Sequence, residues 1–539
     1  MNAPASICQT TRDPVDKTVD CVVVGAGFSG LYMVHRLRQA GVSVQGIEAG
    51  YDVGGTWFWN RYPGARCDIP SLLYSYSFDR GLRDDWRWSE KYSPQPEILA
   101  YAGHVADRFD LRSSFLFETR VTAMTYDEGA AVWRVETDRG DRFAARWVVA
   151  ATGCLSVPKA PDIPGADSFA GPSYLTGLWP HEGVDFTGRR VAMIGTGSSA
   201  IQSTPLIADQ AAQLTIFQRT PNFSLPARNR ELTDAEIDEF MAAFPAYKAL
   251  LDSGQPALPA PPEDWQPTEA ELKERAEALW SGDGLLALIA LPNLTKDPRI
   301  NAIAADYVRD KIRQIVQDPA TAEALIPRDY PLGAKRPCVD TDYFAAFNRP
   351  NVALVDLLKT PIVEINAAGV RTTEGQYDVD AIVFATGFDA MTGALLKMDI
   401  RGRGGRSLAD AWAEGPKTLL GLQVAGFPNL FTVTGPGSPS VLSNMIVSLE
   451  QHVDWIADAI THLRATNHTT MEPDPTAQEA WVQHVNEVAA ETLYPQANSW
   501  YLGANVPGKP RVFMPYVGPG YKVRCDEIAA NGYEGFVLG

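Results

Sequence analysis

The sequence predicts an α/β chain of two Rossmann-like domains with an inserted helical lobe, and three observations carry that expectation. Two strand, glycine-turn, helix, strand units begin at Asp20 and at Arg190. Short strand-like runs surround them, among them AVWRVETD, DRFAARWVVAATG, VALVDLL and AIVFATGFD. From about Asn229 to Arg328 the pattern turns helical, with a Pro-rich break at QPALPAPPEDWQP. Strands alternating with helices predict parallel sheets covered on both faces.

In chain order, residues 1–17 are polar and read as a disordered tail. The first unit, CVVVGAGFSGLYMVHRLRQAGVSVQGIEAG, places Gly25, Gly27 and Gly30 between a strand and a helix. Glycines at those spacings permit a tight turn, close approach of a pyrophosphate, and packing of helix on strand. The helix N-terminus favours negative charge. Glu48 ends the second strand, where a carboxylate can accept from ribose hydroxyls. The unit is expected to bind an adenine dinucleotide.

The second unit, RVAMIGTGSSAIQSTPLIADQAAQLTIFQRT, repeats the device at Gly195, Gly197, Ser198 and Ser199, with Ala200 at the third small position. Where an NAD site places an acid, this unit has Arg219, which can grip a 2′-phosphate and favours NADPH. The lobe carries two capping-box signatures, Thr233 with Glu236 and Thr268 with Glu271. The expected domains are 18–155 and 387–539 for one cofactor, 156–228 and 331–386 for the other, and 229–330 for the insertion.

Composition narrows the class. Of 539 residues, 45% are hydrophobic and 21% charged, which suits ordinary cores. The net charge of −18 argues against nucleic acid and anionic membranes as partners. No apolar run reaches the roughly 18 residues of a membrane helix. The expected protein is cytoplasmic and a monomer or weak homodimer. Six scattered cysteines (Cys8, Cys21, Cys67, Cys154, Cys338, Cys525) form no CxxC pair, so neither zinc nor a redox disulfide is expected. No histidine lies between His181 and His452, which leaves metal sites and Ser-His-Asp catalysis little to use.

Two dinucleotide units, with Ala151-Thr152-Gly153 and Ala385-Thr386-Gly387 after β-branched runs, suggest a flavoprotein that takes hydride from NADPH. Without a redox cysteine pair, O2 is the remaining common acceptor.

Between the glycine motifs, Phe169-Ala170-Gly171, Leu175 and Trp179-Pro180 resemble the FxGxxxHxxxWP fingerprint of type I Baeyer–Villiger monooxygenases. GGTWFWNRYPGARCD, FATGFDAMTGAL, GPGSPSVLSNM and SWYLGANVPGKPRVFMPY extend the resemblance over nearly the whole chain, towards the phenylacetone and steroid monooxygenase branch. The resemblance implies FAD in the first domain, NADPH in the second, and oxidation of hydrophobic ketones by O2 to esters or lactones through a C4a-peroxyflavin. By motif, Arg336 in GAKRPC would steady the developing negative charge and Asp68 would hold it, since a guanidinium does not give up its proton. Lys335 would join Arg219 on the 2′-phosphate, Thr56 and Trp57 would lie beside the flavin, and Trp500 would belong to a closing loop. Ser440, Val441, Leu442 and Met445 would line the substrate pocket.

Two alternatives remain at this point. A flavin-containing or N-hydroxylating monooxygenase would share both glycine motifs. A weakly active FAD/NADP-binding oxidase or sensor is motivated by Leu175, which stands where the fingerprint has histidine. That departure predicts leakage of NADPH to peroxide, relieved by Leu175→His, with His181 too far along the chain to substitute.

Overall fold

The structure is a computed structural model that describes residues 12–254, 261, 265–504, 506–509 and 515–539. The first sheet is built on β1 (Asp16–Val24), flanked in parallel by β2 (Val44–Ile47) and by a long β6 (Arg142–Ala150). From Val19 to Val24, β1 is buried apart from Asp20, as a β-branched run covered on both faces should be. β3 (Phe115–Leu116) extends the sheet beyond β2. On the other side, β4 (Val121–Asp127) and β5 (Val132–Thr137) form an antiparallel hairpin against β6. β5 alternates buried Trp133, Val135 and Thr137 with exposed Arg134 and Glu136. The late strand Leu430–Thr432 returns to pair with the last residues of β6, and Asp399–Arg401 pairs with β4. The C-terminal part of the chain therefore completes the first domain.

Residues 12–17, expected to belong to a disordered tail over 1–17, are held in the fold, and β1 already begins at Asp16. Arg12 donates to both oxygens of Asp141, and the Val15 N–H donates to the same carboxylate at 2.8 Å. Residues 1–11 lie outside the described residues.

The second sheet is all parallel: β7 (Ser173–Leu175), β8 (Arg190–Ile194), β9 (Gln213–Gln218), β12 (Val352–Asp356) and β16 (Ala381–Phe384), ordered β12-β9-β8-β16-β7. Between β9 and β12 come a parallel pair, β10 (Ser224–Pro226) and β11 (Cys338–Asp340). An antiparallel triplet, β13 (Ile362–Asn366), β14 (Gly369–Thr372) and β15 (Gln376–Asp378), precedes β16.

Both expected capping boxes form. Thr233 and Thr268 accept from the N–H of Glu236 and Glu271 at 3.3 Å, and those glutamates accept back at 3.0 and 2.7 Å. The insertion splits, however. Its later helices, Glu269–Ser281 and Pro298–Ile315, close a core of their own around Leu272, Leu279, Ile300 and Val308. The first, Asp234–Ser253, lies against the first domain, with Phe244 under the Arg83 guanidinium. Most of QPALPAPPEDWQP falls outside the described residues.

Candidate active site

Both glycine turns lie at the carboxyl ends of their sheets, where open α/β sheets bind ligands. Gly25 has φ +107°, and a Cβ there would stand 2.6 Å from the Ala151 carbonyl oxygen. Gly195, at φ +114°, meets the Ala385 carbonyl in the same way. The two Ala-Thr-Gly segments are thus the chain against which the turns are pressed. The helices they open, Phe28–Gln39 and Ser198–Gln210, have no side-chain cap. Thr233, Thr268 and Asp297 cap helices of the insertion. The uncapped N–H groups are left for an anionic ligand. Gly197 and Ser198 are exposed, Ser199 is half-buried, and a Cβ at Gly197 would meet nothing within 4 Å.

Glu48 is buried and accepts from the N–H groups of Ala26 and Gly50, each at 2.7 Å. Burial raises its pKa and the two N–H groups oppose the rise. It braces the glycine turn from within, a role its spacing does not disclose. Gly55 approaches Gly27 closely, so the short helix Thr56–Trp59 starts beside the first turn, with Thr56 exposed and Trp57 buried on Tyr74. Residues of both turns therefore form cradles that fit a dinucleotide.

At the second turn, Arg219 is exposed just beyond β9. Lys335 is half-buried over the Tyr330 ring, 4.3 Å from its centroid. Burial first, and then the positive charge of Arg219, hold Lys335 below an ordinary lysine, and the same two causes act on Lys159. Like charges within reach of one another suit a phosphate. Lys159 carried no sequence signal because the fold, not a motif, brings it there: its N–H donates to Gly387 and its carbonyl accepts from Thr386, both in the second Ala-Thr-Gly segment.

Arg336 and Asp68 meet 268 residues apart in sequence. Nε donates to one Asp68 oxygen at 2.6 Å and Nη2 to the other at 2.9 Å, a planar bidentate pair. Nη1 donates to the Val441 carbonyl at 2.7 Å. Burial works against the arginine's charge, but Asp68 outweighs it and keeps the guanidinium above its ordinary pKa. Asp68 and the Val441 carbonyl take three of the five N–H donors. The buried Tyr501 phenol also stands against the guanidinium, its pKa raised by burial and drawn back by the positive charge.

Beside this pair lies an apolar cluster formed from distant segments: Cys154, Met391, Val441, Tyr501 and Leu502, with Leu442, Met445 and Trp500 packed on it. Ser440, expected beside them, is fully buried beneath the lining. It has φ +42°, and its hydroxyl donates to the Thr434 carbonyl. Trp500 is half-buried with its ring 4.5 Å from that of Tyr501. Lys509, in the same loop, is ion-paired with Asp389, which no motif announced. Residues 505 and 510–514 of that loop lie outside the described residues.

A family profile for pyridine nucleotide-disulphide oxidoreductases matches residues 19–243. The five described cysteines are all free and buried, so the match extends to the dinucleotide fold without a disulfide. A Baeyer–Villiger monooxygenase of Pseudooceanicola batsensis is 40% identical, over 96% of this chain and 96% of its own. The chain belongs to the Baeyer–Villiger monooxygenases. It is a flavin-dependent oxidoreductase. A solved oxidized steroid monooxygenase bound to NADP is 49% identical, with a TM-score of 0.91 over 97% of this chain and 99% of that one. A phenazine N-monooxygenase of Lysobacter antibioticus is 39% identical, over 97% and 98%.

The structure explains the fingerprint departure. Leu175 sits on β7 opposite Phe384 and packs on the core of the second sheet with Ile194 and Phe217. His181, judged remote in sequence, reaches the first domain: its Nδ1 is 2.8 Å from the Tyr51 hydroxyl and its ring lies 5.0 Å from that of Phe58. Trp179 is buried in the second domain's core against Phe186. The linker is pinned on one side by the tryptophan and on the other by the histidine.

Proposed function

We propose that this enzyme uses NADPH and O2 to insert oxygen beside the carbonyl of medium or bulky hydrophobic ketones, giving esters or lactones. The observation that carries the reading is the bidentate Arg336–Asp68 pair set beside an apolar cluster. Gly25, Gly27, Gly30, Glu48, Thr56 and Trp57 would hold FAD. Gly195, Gly197, Ser198, Ser199, Arg219 and Lys335 would hold NADPH, joined by Lys159. Bound FAD supplies the chemistry of accepting hydride and activating O2.

The protein's part is electrostatic and steric. Arg336 keeps its proton throughout, and an N–H group not held by Asp68 or the Val441 carbonyl would face the ketone oxygen as that oxygen becomes negative. A lysine there could lose its proton when buried. Val441, Leu442, Met445 and Trp500 would hold the apolar body of the ketone and exclude water, which strengthens the guanidinium's effect. Asp68 would fix the guanidinium plane.

N-oxygenation of aromatic amines is the second reading, favoured by the phenazine N-monooxygenase relative. One vessel separates the two: NADPH and O2 with aryl ketones, alicyclic ketones, a sulfide and a phenazine, assayed for ester, sulfoxide, N-oxide and peroxide. Ester as the main product, abolished in Arg336→Ala with FAD retained, supports the ketone reading. N-oxide as the main product, unaffected by Arg336→Ala, replaces it. A cytoplasmic location accords with the five buried free thiols. A monomer or weak homodimer accords with the −18 charge and is checked by sedimentation.

A further inference from the structure

The helix that opens at the second glycine turn touches the first domain in one place that none of the motifs explains. Gln202 lies one turn after Ser198 on the helix Ser198–Gln210, on the same face. Its side-chain oxygen accepts from the Tyr62 hydroxyl at 2.9 Å, and its amide nitrogen donates to the Arg66 carbonyl at 3.1 Å. Tyr62 also meets the Ser199 hydroxyl, and burial pushes its own pKa up to about 12. Gly64, at φ +79°, lets the loop approach so closely that a Cβ would stand 2.5 Å from the Gln202 carbonyl oxygen. Arg66 is two residues before Asp68.

A second contact leads to the other partner. The Ser198 hydroxyl lies 3.3 Å from the Cys338 sulfur, and Cys338 is two residues after Arg336 at the start of β11. The first two turns of one helix are thus bonded, through Gln202 and Ser198, to the chain two residues from each member of the Asp68–Arg336 pair. The start of that helix is where the uncapped N–H groups that follow Gly197 would take a pyrophosphate.

We infer that Gln202 is a positioning residue that makes the placement of the Asp68–Arg336 pair depend on occupancy of the NADP site. A dinucleotide seated on the helix N-terminus fixes Ser198 and Ser199. Gln202 and Tyr62 then hold loop 62–68, and Cys338 holds the strand after Arg336. Without the amide, loop and helix are free to part, and Asp68 no longer presents the guanidinium at one fixed orientation. The inference rests on the proposed role of Arg336 for its consequence in catalysis, and on the bonds alone for its consequence in structure.

The test uses the FAD-loaded enzyme and the variants Gln202→Leu and Tyr62→Phe. In the wild type, NADP+ is expected to slow hydrogen exchange of backbone amides 64–68. In both variants NADP+ should still bind within about twofold, since no contact to it is removed, but should no longer slow exchange there. Ester formed per NADPH consumed should fall about fivefold, the factor of one neutral hydrogen bond, with peroxide rising to match and flavin reduction by NADPH unchanged. Exchange at 64–68 that still slows with NADP+ in both variants overturns the inference, as does unaltered ester yield. Should Gln202→Leu fail to fold, Tyr62→Phe, which removes one hydroxyl, decides alone. If the wild type makes no ester from any ketone, the proposed function fails while the exchange measurement still decides the role of Gln202.

Discussion

Replacing Asp68 by asparagine tests the catalytic pair with the least change in shape. The aspartate accepts from Nε at 2.6 Å and from Nη2 at 2.9 Å. An amide of the same size keeps one acceptor and turns an NH2 group towards the second N–H, so one of the two bonds is lost along with the charge. Charge-assisted bonds contribute about 1.5–3 kcal/mol. The side chains of Arg336 and Asp68 keep 21% and 27% of their exposure, so solvent screens part of that, and about 2 kcal/mol is the appropriate loss. If all of it falls on the orientation of Arg336, ester formation slows about thirtyfold, at 1.36 kcal/mol per factor of ten. The assay compares ester yield, peroxide yield and FAD content of Asp68→Asn with those of the wild type. The expected outcome is full FAD content and normal flavin reduction, with ester formation down by that factor and most NADPH diverted to peroxide. Ester formation at the wild-type rate would refute the holding role, and loss of FAD in step with activity would reduce Asp68 to a scaffold residue.

Three further outcomes follow from named contacts. Arg219→Ala should raise KM for NADPH by roughly 10- to 150-fold, the equivalent of one charge-assisted bond, and leave NADH unchanged; equal effects on both cofactors would contradict the 2′-phosphate site. Leu175→His should not improve coupling, because the half-buried side chain packs against the second sheet's core; His181→Ala should instead raise the peroxide fraction, and a coupling gain in Leu175→His would reverse this assignment. His452 is fully buried, and burial pulls its pKa down to about 3. The Thr434 N–H donates to its Nδ1, so the proton sits on Nε2. The unfolded chain takes up a second proton near pH 6.5, so this contribution to stability is complete above that pH and shrinks below it, by about 2 kcal/mol at pH 5. Urea unfolding of His452→Gln should show a flatter loss between pH 7 and 5, and an identical slope would count against the histidine as its source.

What the sequence disclosed and what it hid divide along a physical line. Gly25, Gly30, Gly195, Thr233 and Thr268 were legible because their work is local: a turn, a close packing or a cap is decided within a few residues. Arg336 and Asp68 came from motif resemblance, since no periodicity joins positions 268 apart. Lys159, Gln202, Tyr501 and Lys509 were missed because each acts through a partner supplied by another segment, and a lone lysine or tyrosine has no spacing to read. Arg12 illustrates the same limit: the N-terminal stretch looks disordered by composition until Asp141 is seen to need a cation. There burial would raise the carboxyl, and the Arg12 guanidinium and Val15 N–H bring it instead down to about 2.

The segment 51–68 also shows why the two halves of the molecule cannot be judged apart. Its start meets His181 through Tyr51 and Phe58, its middle meets Gln202 through Tyr62 and Arg66, and its end meets Arg336 through Asp68. Each of these partners belongs to the second domain or to the chain leading into and out of it, while Thr56 and Trp57, within the same segment, stand beside the first glycine turn. A rigid connection of this kind would carry any rotation of the second domain into the plane of the guanidinium. Leu175 lies on β7, outside this segment, and the segment's ties to His181, Gln202 and Arg336 do not run through it, so a leucine there leaves all three contacts in place.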